Sequence, residues 1–217
     1  MQYNFISIEG NIGAGKTSLA KKLSTDHNAR LILESFSDNP FLPKFYKKPK
    51  KYAFSLELFF MAERYSQMQQ QDLFHSLTIS DYLFVKSKLF AQNNLQDDEL
   101  FLFNKLFSTM STSIPNPQLV VYLYSSIERL QYNISKRGRA FEQYITAEYL
   151  QNIQNNYLDY FHKQKLHPIL IIDVTNIDFL KNESDYQKIK SAITSNYKVG
   201  VHNLTITDST NKEEDHD

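Results

Sequence analysis

"FISIEGNIGAGKTSLAKKL", residues Phe5 to Leu23, is the stretch that decides the fold. An apolar run, Phe5–Ile8, leads to a glycine, two further glycines follow, and a helical pattern begins through a lysine and two hydroxyl residues. Gly10 to Thr17 fits G-x-x-x-x-G-K-[ST], in the strand-before, helix-after setting that a phosphate-binding loop requires. The chemistry explains the spacing. Backbone N–H groups along Gly10, Asn11, Ile12, Gly13, Ala14, Gly15, Lys16, Thr17 and Ser18 turn toward phosphate oxygens, and the glycines keep side chains clear. The following helix points its positive end at the anion. Lys16 is expected to reach the β- and γ-phosphates and the Thr17 hydroxyl to ligate Mg²⁺. The loop therefore specifies a nucleoside triphosphate and Mg²⁺, and says nothing about what accepts a phosphate.

Working outward, near-continuous apolar runs predict buried parallel strands at Phe5–Ile8, Arg30–Leu33, Leu119–Tyr124 and Pro168–Asp173, with a weaker one at Leu77–Ser80. Helical patterns separate them at Ser18–Ser24, Lys51–Asp72, Tyr82–Gln92, Asp97–Met110, Ser126–Arg137 and Ala147–Lys163. Phe41–Lys51, with two prolines, reads as a loop or broken helix. Strands alternating with helices predict an α/β fold: a P-loop kinase-type, doubly wound, parallel five-stranded sheet flanked by helices, with a helical lid. Residues 1–200 read as one domain, and 201–217 as a polar, acidic, disordered tail.

Composition narrows the function further. The 217 residues carry 24 Lys plus Arg against 24 Asp plus Glu, so nothing in the overall charge argues for a nucleic-acid or anionic-membrane surface. No run approaches the roughly 20 apolar residues of a membrane helix, and the start has no signal-peptide pattern. The chain has no cysteine, which excludes disulfides and thiol catalysis and fits a reducing compartment. The expectation is a cytoplasmic protein. Only 5 glycines occur; three sit in the loop and a fourth, Gly138, lies in the basic stretch "SKRGRAFE".

The acceptor side carries a resemblance. "LESFSDNPFLPKFY" after the second strand is similar to the Glu-Pro-Val…Asn-Pro-Phe-Leu…Phe-Tyr segment of the deoxynucleoside kinases, and the likeness runs in register from about Gln2 to Asp178. It implies transfer of the ATP γ-phosphoryl to the 5′-hydroxyl of a deoxynucleoside. Glu34 then matches the general base and Tyr46 the tyrosine that bonds the sugar 3′-hydroxyl. Glu34 also ends a predicted parallel strand, where such sheets place ligands. "KYAFSLELFFMAERY" resembles the base-reading helix, with Arg64 in the arginine position and Glu57 where the family has glutamine. An ionised glutamate only accepts hydrogen bonds, which suits the paired N1–H and N2–H₂ donors of guanine, with Arg64 free to donate to O6 or N7. The bland alternative is a Glu57–Arg64 salt bridge that selects no base.

"TISDYLFVKSKLFA" lies where the family has an acid, Arg and Ser. Asp81 matches the acid, near Mg²⁺ and the reacting oxygens, and stands beside Glu34 as a second candidate proton acceptor. Tyr82 occupies the arginine position; Lys86 or Arg64 is the candidate source of the missing charge. Phe90 matches the aromatic that stacks on the base, or is plain core. "SKRGRAFEQYITAEYL" resembles the lid, with Arg137 and Arg139 over the phosphates and Glu142 on the 3′-hydroxyl. The resemblance implies a homodimer paired through helices. A nucleoside monophosphate kinase of the thymidylate type, and a nucleotide-binding module with impaired catalysis, are the alternatives.

Overall fold

The computed structural model describes residues 2–36, 39–70 and 74–206. Six strands, β1 (Phe5–Gly10), β2 (Arg30–Ile32), β3 (Thr78–Ser80), β4 (Leu119–Tyr124), β5 (Pro168–Asp173) and β6 (Gly200–Thr205), form one sheet in the order β2-β3-β1-β4-β5-β6. Every pairing is parallel. The chain leaves β1 for the β2–β3 side and later returns to β4 on the other side of β1. That reversal of strand order opens a crevice at the carboxyl end of β1, where a ligand is bound in such sheets.

Both faces of the sheet are covered. Along β4, Leu119, Val121 and Leu123 enter one core with Leu19 and Leu23 of α1 (Lys16–His27), while Val120 and Tyr122 enter another with Tyr157 and Phe161. A third core binds α2 (Leu42–Lys47), α3 (Pro49–Gln69), α4 (Lys86–Asn94) and α5 (Asp97–Ser111) around Phe45, Leu56, Phe60, Met61 and Phe103. Caps set the later helices. Ser126 accepts from Arg129 N to start α6 (Ile127–Arg137), which ends at Gly138 with φ 70°. Thr146 caps α7 (Ala147–Lys163), and Asn182 accepts from Ser184 N and Asp185 N to start α8 (Glu183–Thr194).

The structure corrects several expectations. The sheet has six strands, not five: β6 is an edge strand whose residues are all half-buried or exposed, and "GVHNLT" lacks the apolar run of an inner strand. Residues 201–205 therefore belong to the domain and not to a tail, and 207–217 lie outside the described residues. The Phe41–Lys51 stretch is the broken helix and not the loop: α2 ends at Lys47 and α3 begins at Pro49, with a proline in the first turn of each, where the missing N–H costs nothing. Helix α3 ends at Gln69; the expected end at Asp72 falls outside the described residues. Helix α4 starts at Lys86, not Tyr82, so Tyr82 and Lys86 are not successive turns of one helix. Helix α8 was not anticipated, although Asn182 and the spacing of Tyr186, Ile189 and Ile193 carried the signal.

Candidate active site

The loop after β1 is built from backbone. Gly10 and Gly13 have φ of 152° and 87°, and a Cβ would come within 2.8 Å of Leu123 O at Gly10 and 2.9 Å of Leu130 O at Gly13. Neither position tolerates a side chain without displacing a backbone carbonyl. Two asparagines, one within the loop and one from α6, fasten it to its surroundings. Asn11 Nδ2 donates to Leu150 O at 2.7 Å, and Asn133 Nδ2 donates to Gly13 O at 2.9 Å. Gly10 and Asn11 thus sit beneath the loop as framework, while Ile12, Gly13, Lys16 and Thr17 face one cavity and Gly13, Ala14, Gly15 and Ser18 face a second. The second cavity continues toward Val174, Ile177 and Phe179 after β5. Arg137 lines both.

Lys16 Nζ donates to Asn11 O at 2.9 Å. Burial, with the like charge of Lys86, pulls the Lys16 ammonium down to about 8. Beneath it, fully buried Glu9 ties three elements together: Oε1 accepts from Leu83 N at 2.6 Å, and Oε2 from Tyr157 OH at 2.9 Å and Gly10 N at 3.2 Å. Burial raises the Glu9 carboxyl, and the nearby Lys86 and Lys16 oppose that rise.

A continuous polar chain leads from the loop to the first cavity. Thr17 Oγ1 donates to Asp81 Oδ2 at 2.6 Å, and Asp81 Oδ1 accepts from Glu34 N at 2.7 Å. The Glu34 side chain is clasped by two cations. Arg64 donates to Oε1 through Nε at 2.9 Å and Nη2 at 2.6 Å, and Lys86 Nζ donates to Oε2 at 2.6 Å. Burial alone would raise this carboxyl, but the Lys86 and Arg64 charges and their hydrogen bonds hold it far below the usual carboxylate range. Arg64 is fixed in turn. Its Nη1 donates to Ser87 Oγ at 2.7 Å, and its guanidinium lies 5.1 Å from the Phe60 ring centre and 5.9 Å from that of Tyr82.

Tyr82 does not reach the cavity. It is fully buried in the third core and its hydroxyl donates to Gln67 Oε1 at 2.6 Å. The expectation of Tyr82 as a substrate-binding residue is therefore corrected: its ring underlies Arg64, and Arg64 and Lys86 together bring positive charge to Glu34. The Glu57–Arg64 salt bridge is also absent among the described residues. Glu57 is 1 % exposed; its Oε1 accepts from Asn94 Nδ2 at 2.7 Å, and its Oε2 has no protein hydrogen-bond partner. Burial pushes this carboxyl up to about 7, against the opposing pull of Asn94 and Arg64.

The far wall is the lid. Arg137 grips Glu142 with Nε at 3.0 Å from Oε2 and Nη2 at 2.6 Å and 2.7 Å from the two oxygens, and Arg139 Nη1 adds a bond at 3.1 Å. Arg139 also lies 3.7 Å over the Phe36 ring. Tyr46 stacks on Phe141 at 6.0 Å between ring centres, and burial with the Glu142 charge raises its phenol. Glu34, Tyr46, Glu57, Arg64, Asp81 and Lys86 share one cavity, joined there by Phe90, Arg137, Arg139 and Glu142. Ser87, Asn94, Tyr149, Phe36 and Phe141 were missed by sequence reasoning. The i, i+7 relation of Glu57 to Arg64 placed both on one helix face, but their partners come from elsewhere: Glu34 from the loop after β2, and Ser87 and Asn94 from α4.

For Mg²⁺, the donor set is two oxygens, Thr17 Oγ1 and an Asp81 carboxylate oxygen, and no group of three or more His, Cys, Asp or Glu occurs among the described residues. That suits a cation that binds through one or two protein oxygens plus phosphate and water.

Comparison with known proteins agrees with this geometry. A family model described as deoxynucleoside kinase matches residues 6–198. A deoxyguanosine kinase of Bacillus subtilis is 36% identical over 197 residues, covering 87% of this chain and 95% of that protein. A deoxyadenosine kinase of Dictyostelium discoideum is 33% identical, over 88% of this chain and 79% of that protein. The solved deoxyadenosine kinase from M. mycoides with bound dATP superposes with a TM-score of 0.73 at 24% identity, covering 88% of this chain and 99% of that one, and shares the fold. No helix among the described residues is long and apolar enough to cross a membrane. With its phosphate loop, carboxylate chain and basic lid converging on one crevice, the chain belongs to the deoxynucleoside kinase family and transfers phosphate from ATP to a deoxynucleoside.

Proposed function

We propose that the chain is a purine deoxynucleoside kinase that favours deoxyguanosine, with deoxyadenosine second. The observation that carries this reading is Glu57: a buried carboxylate in the cavity wall, unpaired with any cation among the described residues, with one oxygen left over after Asn94 is satisfied. Guanine's adjacent N1–H and N2–H₂ donors suit two acceptor oxygens, and a partly satisfied buried carboxylate gains most from such a partner. The names of the relatives, deoxyguanosine and deoxyadenosine kinases, support the purine preference.

In the mechanism, the loop amides and Lys16 hold the ATP phosphates. Thr17 and Asp81 would hold Mg²⁺, which offsets phosphate charge when bound. Glu34 orients the 5′-hydroxyl. Clasped by Arg64 and Lys86 it stays ionised, and as a weak base it accepts the proton only late, as suits a loose phosphoryl transfer. The bonds of Asp81 to Thr17 and to Glu34 N support a role for it at the metal over one as proton acceptor. Tyr46 and Glu142 face the sugar 3′-hydroxyl and Phe90 the base. Arg137 and Arg139 turn from Glu142 toward the transferring group as the lid closes. We also propose a homodimer, supported by the exposed Phe101, Leu102 and Leu106 of α5, and a cytoplasmic location, supported by the absence of cysteine.

The test is ATP-dependent phosphorylation of the four deoxynucleosides, with dGMP and dTMP beside them. The reading predicts the highest kcat/KM for deoxyguanosine. Phosphorylation of dGMP or dTMP in preference to the nucleosides would return the monophosphate kinase alternative, and nucleotide binding without turnover the impaired module.

A further inference from the structure

The Glu57 side chain is set in a surround that holds it in place without supplying a counter-ion. From its own helix, Arg64 faces the same cavity, but its donors go to Glu34 and Ser87. From α4, Lys86 is bonded to Glu34, and Asn94 donates to Glu57 Oε1. Glu34 itself contributes a like charge from beyond β2. From α2 and α7, Tyr46 and Tyr149 bring phenols that burial keeps neutral, and Tyr149 OH accepts from Asn94 at 3.3 Å. Asn94 therefore fixes Oε1 as an acceptor and leaves Oε2 as the position that carries or lacks a proton.

The two forms of the group meet different bases. The neutral acid presents one donor, Oε2–H, and one acceptor, Oε1. Adenine offers the complement, N1 as acceptor and N6–H₂ as donor. The carboxylate has no donor, and it sets its charge against the adenine N1 lone pair. Guanine is met by either form: the carboxylate takes N1–H and N2–H₂, and the neutral acid takes N1–H while donating to O6. Deprotonation therefore penalises adenine and leaves guanine served.

We propose that Glu57 reads the purine in two protonation states, accepting both bases as the neutral acid and excluding adenine as the carboxylate, so that the preference for deoxyguanosine over deoxyadenosine rises with pH. The inference rests on the purine reading above. Burial without a paired cation places the exchange near neutrality, where both states are populated.

The experiment is the ratio of kcat/KM for deoxyguanosine to that for deoxyadenosine, measured with ATP from pH 6 to pH 8.5. Groups that act on the phosphoryl transfer itself, Lys16 and Glu34 among them, affect both substrates and cancel in the ratio. The ratio is expected to climb by about tenfold per pH unit above the midpoint, the slope of a single proton. Glu57→Gln, which keeps one donor and one acceptor at every pH, should make the ratio flat and lower. Binding supplies a readout independent of turnover. With a non-hydrolysable ATP analogue present at pH 7.5, deoxyadenosine should take up protons from the buffer while deoxyguanosine exchanges few, read by calorimetry in buffers of different ionisation enthalpy. A ratio constant across the range in the unaltered enzyme overturns the inference while leaving a deoxyguanosine preference standing. Failure to phosphorylate either purine nucleoside overturns both.

Discussion

The donor and acceptor halves of the site are made of different materials. The donor half is backbone: amides turned by Gly10 and Gly13, a helix end, and one lysine. The acceptor half is side chains drawn from α2, α3, α4, the lid and α7, each held by another side chain. A backbone device needs particular residue types at fixed spacing, so little can vary without losing it. A side-chain device can be rebuilt as long as charge and shape are conserved in space. Tyr82 shows the difference: the tyrosine ring lies beneath Arg64 where a charge was expected, while Arg64 and Lys86 both bond Glu34 from other positions.

The sharpest way to break this comparison is at Glu34, where the halves meet. Glu34→Gln should lower kcat by about 10²–10⁴-fold, the usual weight of a positioned proton acceptor, with the KM for ATP changed little. Equal loss of kcat and ATP affinity would place Glu34 in the donor half instead. The variant also leaves Arg64 and Lys86 without their counter-charge, so urea unfolding should show a loss of about 3–5 kcal/mol at neutral pH. The sign with pH follows from the depressed carboxyl. The stabilisation is complete above the ordinary carboxylate range and disappears as pH falls below it, so the two proteins should converge in acid.

Next in size, Lys16→Met should reduce kcat/KM for ATP by about 10²–10³-fold, with the deoxynucleoside affinity unaffected. Arg64→Lys keeps the charge but loses the paired bonds to Glu34 and the contact between rings. It should cost up to about 10²-fold in kcat through misplacement of Glu34, checked by steady-state kinetics. Alkaline pH offers a smaller test. With Lys16 near 8 in the free enzyme, its charge is lost as pH rises through that value, so kcat/KM for ATP should fall above about pH 8. The bound phosphates favour the ammonium, so kcat should persist to higher pH. Smallest is Tyr82→Phe, which removes the bond to Gln67 and keeps the ring under Arg64. Stability should drop by about 1 kcal/mol and kcat by no more than a few-fold. A large loss of kcat would mean that the Tyr82 hydroxyl acts in the chemistry.

The same division decides how much could be read from sequence. The phosphate loop, the four apolar strands and the capped helices α6 and α7 were legible because local spacing determines them. Strand β6 was not, since an edge strand with half-exposed residues carries no apolar run. Helix α2 was legible only as a loop or broken helix, because the prolines of its stretch, which sit at helix starts, interrupt the pattern. In the site, the convergence of Glu34, Glu57, Arg64 and Lys86 on one cavity followed the family resemblance, but their pairing did not. That Arg64 bonds Glu34 and not Glu57 depends on how α3 packs on α4 and on where Ser87 and Asn94 fall, and no spacing within α3 encodes it.

The central claim is that an uncompensated glutamate at position 57 makes this a deoxyguanosine-leading kinase. Its most direct test is a competition: all four deoxynucleosides at equal concentration with limiting ATP at pH 8, products separated and counted, so that their ratio reports relative kcat/KM in one tube. The account predicts dGMP as the main product, with dAMP second and the pyrimidine products minor. Predominance of dAMP, dCMP or dTMP would contradict it.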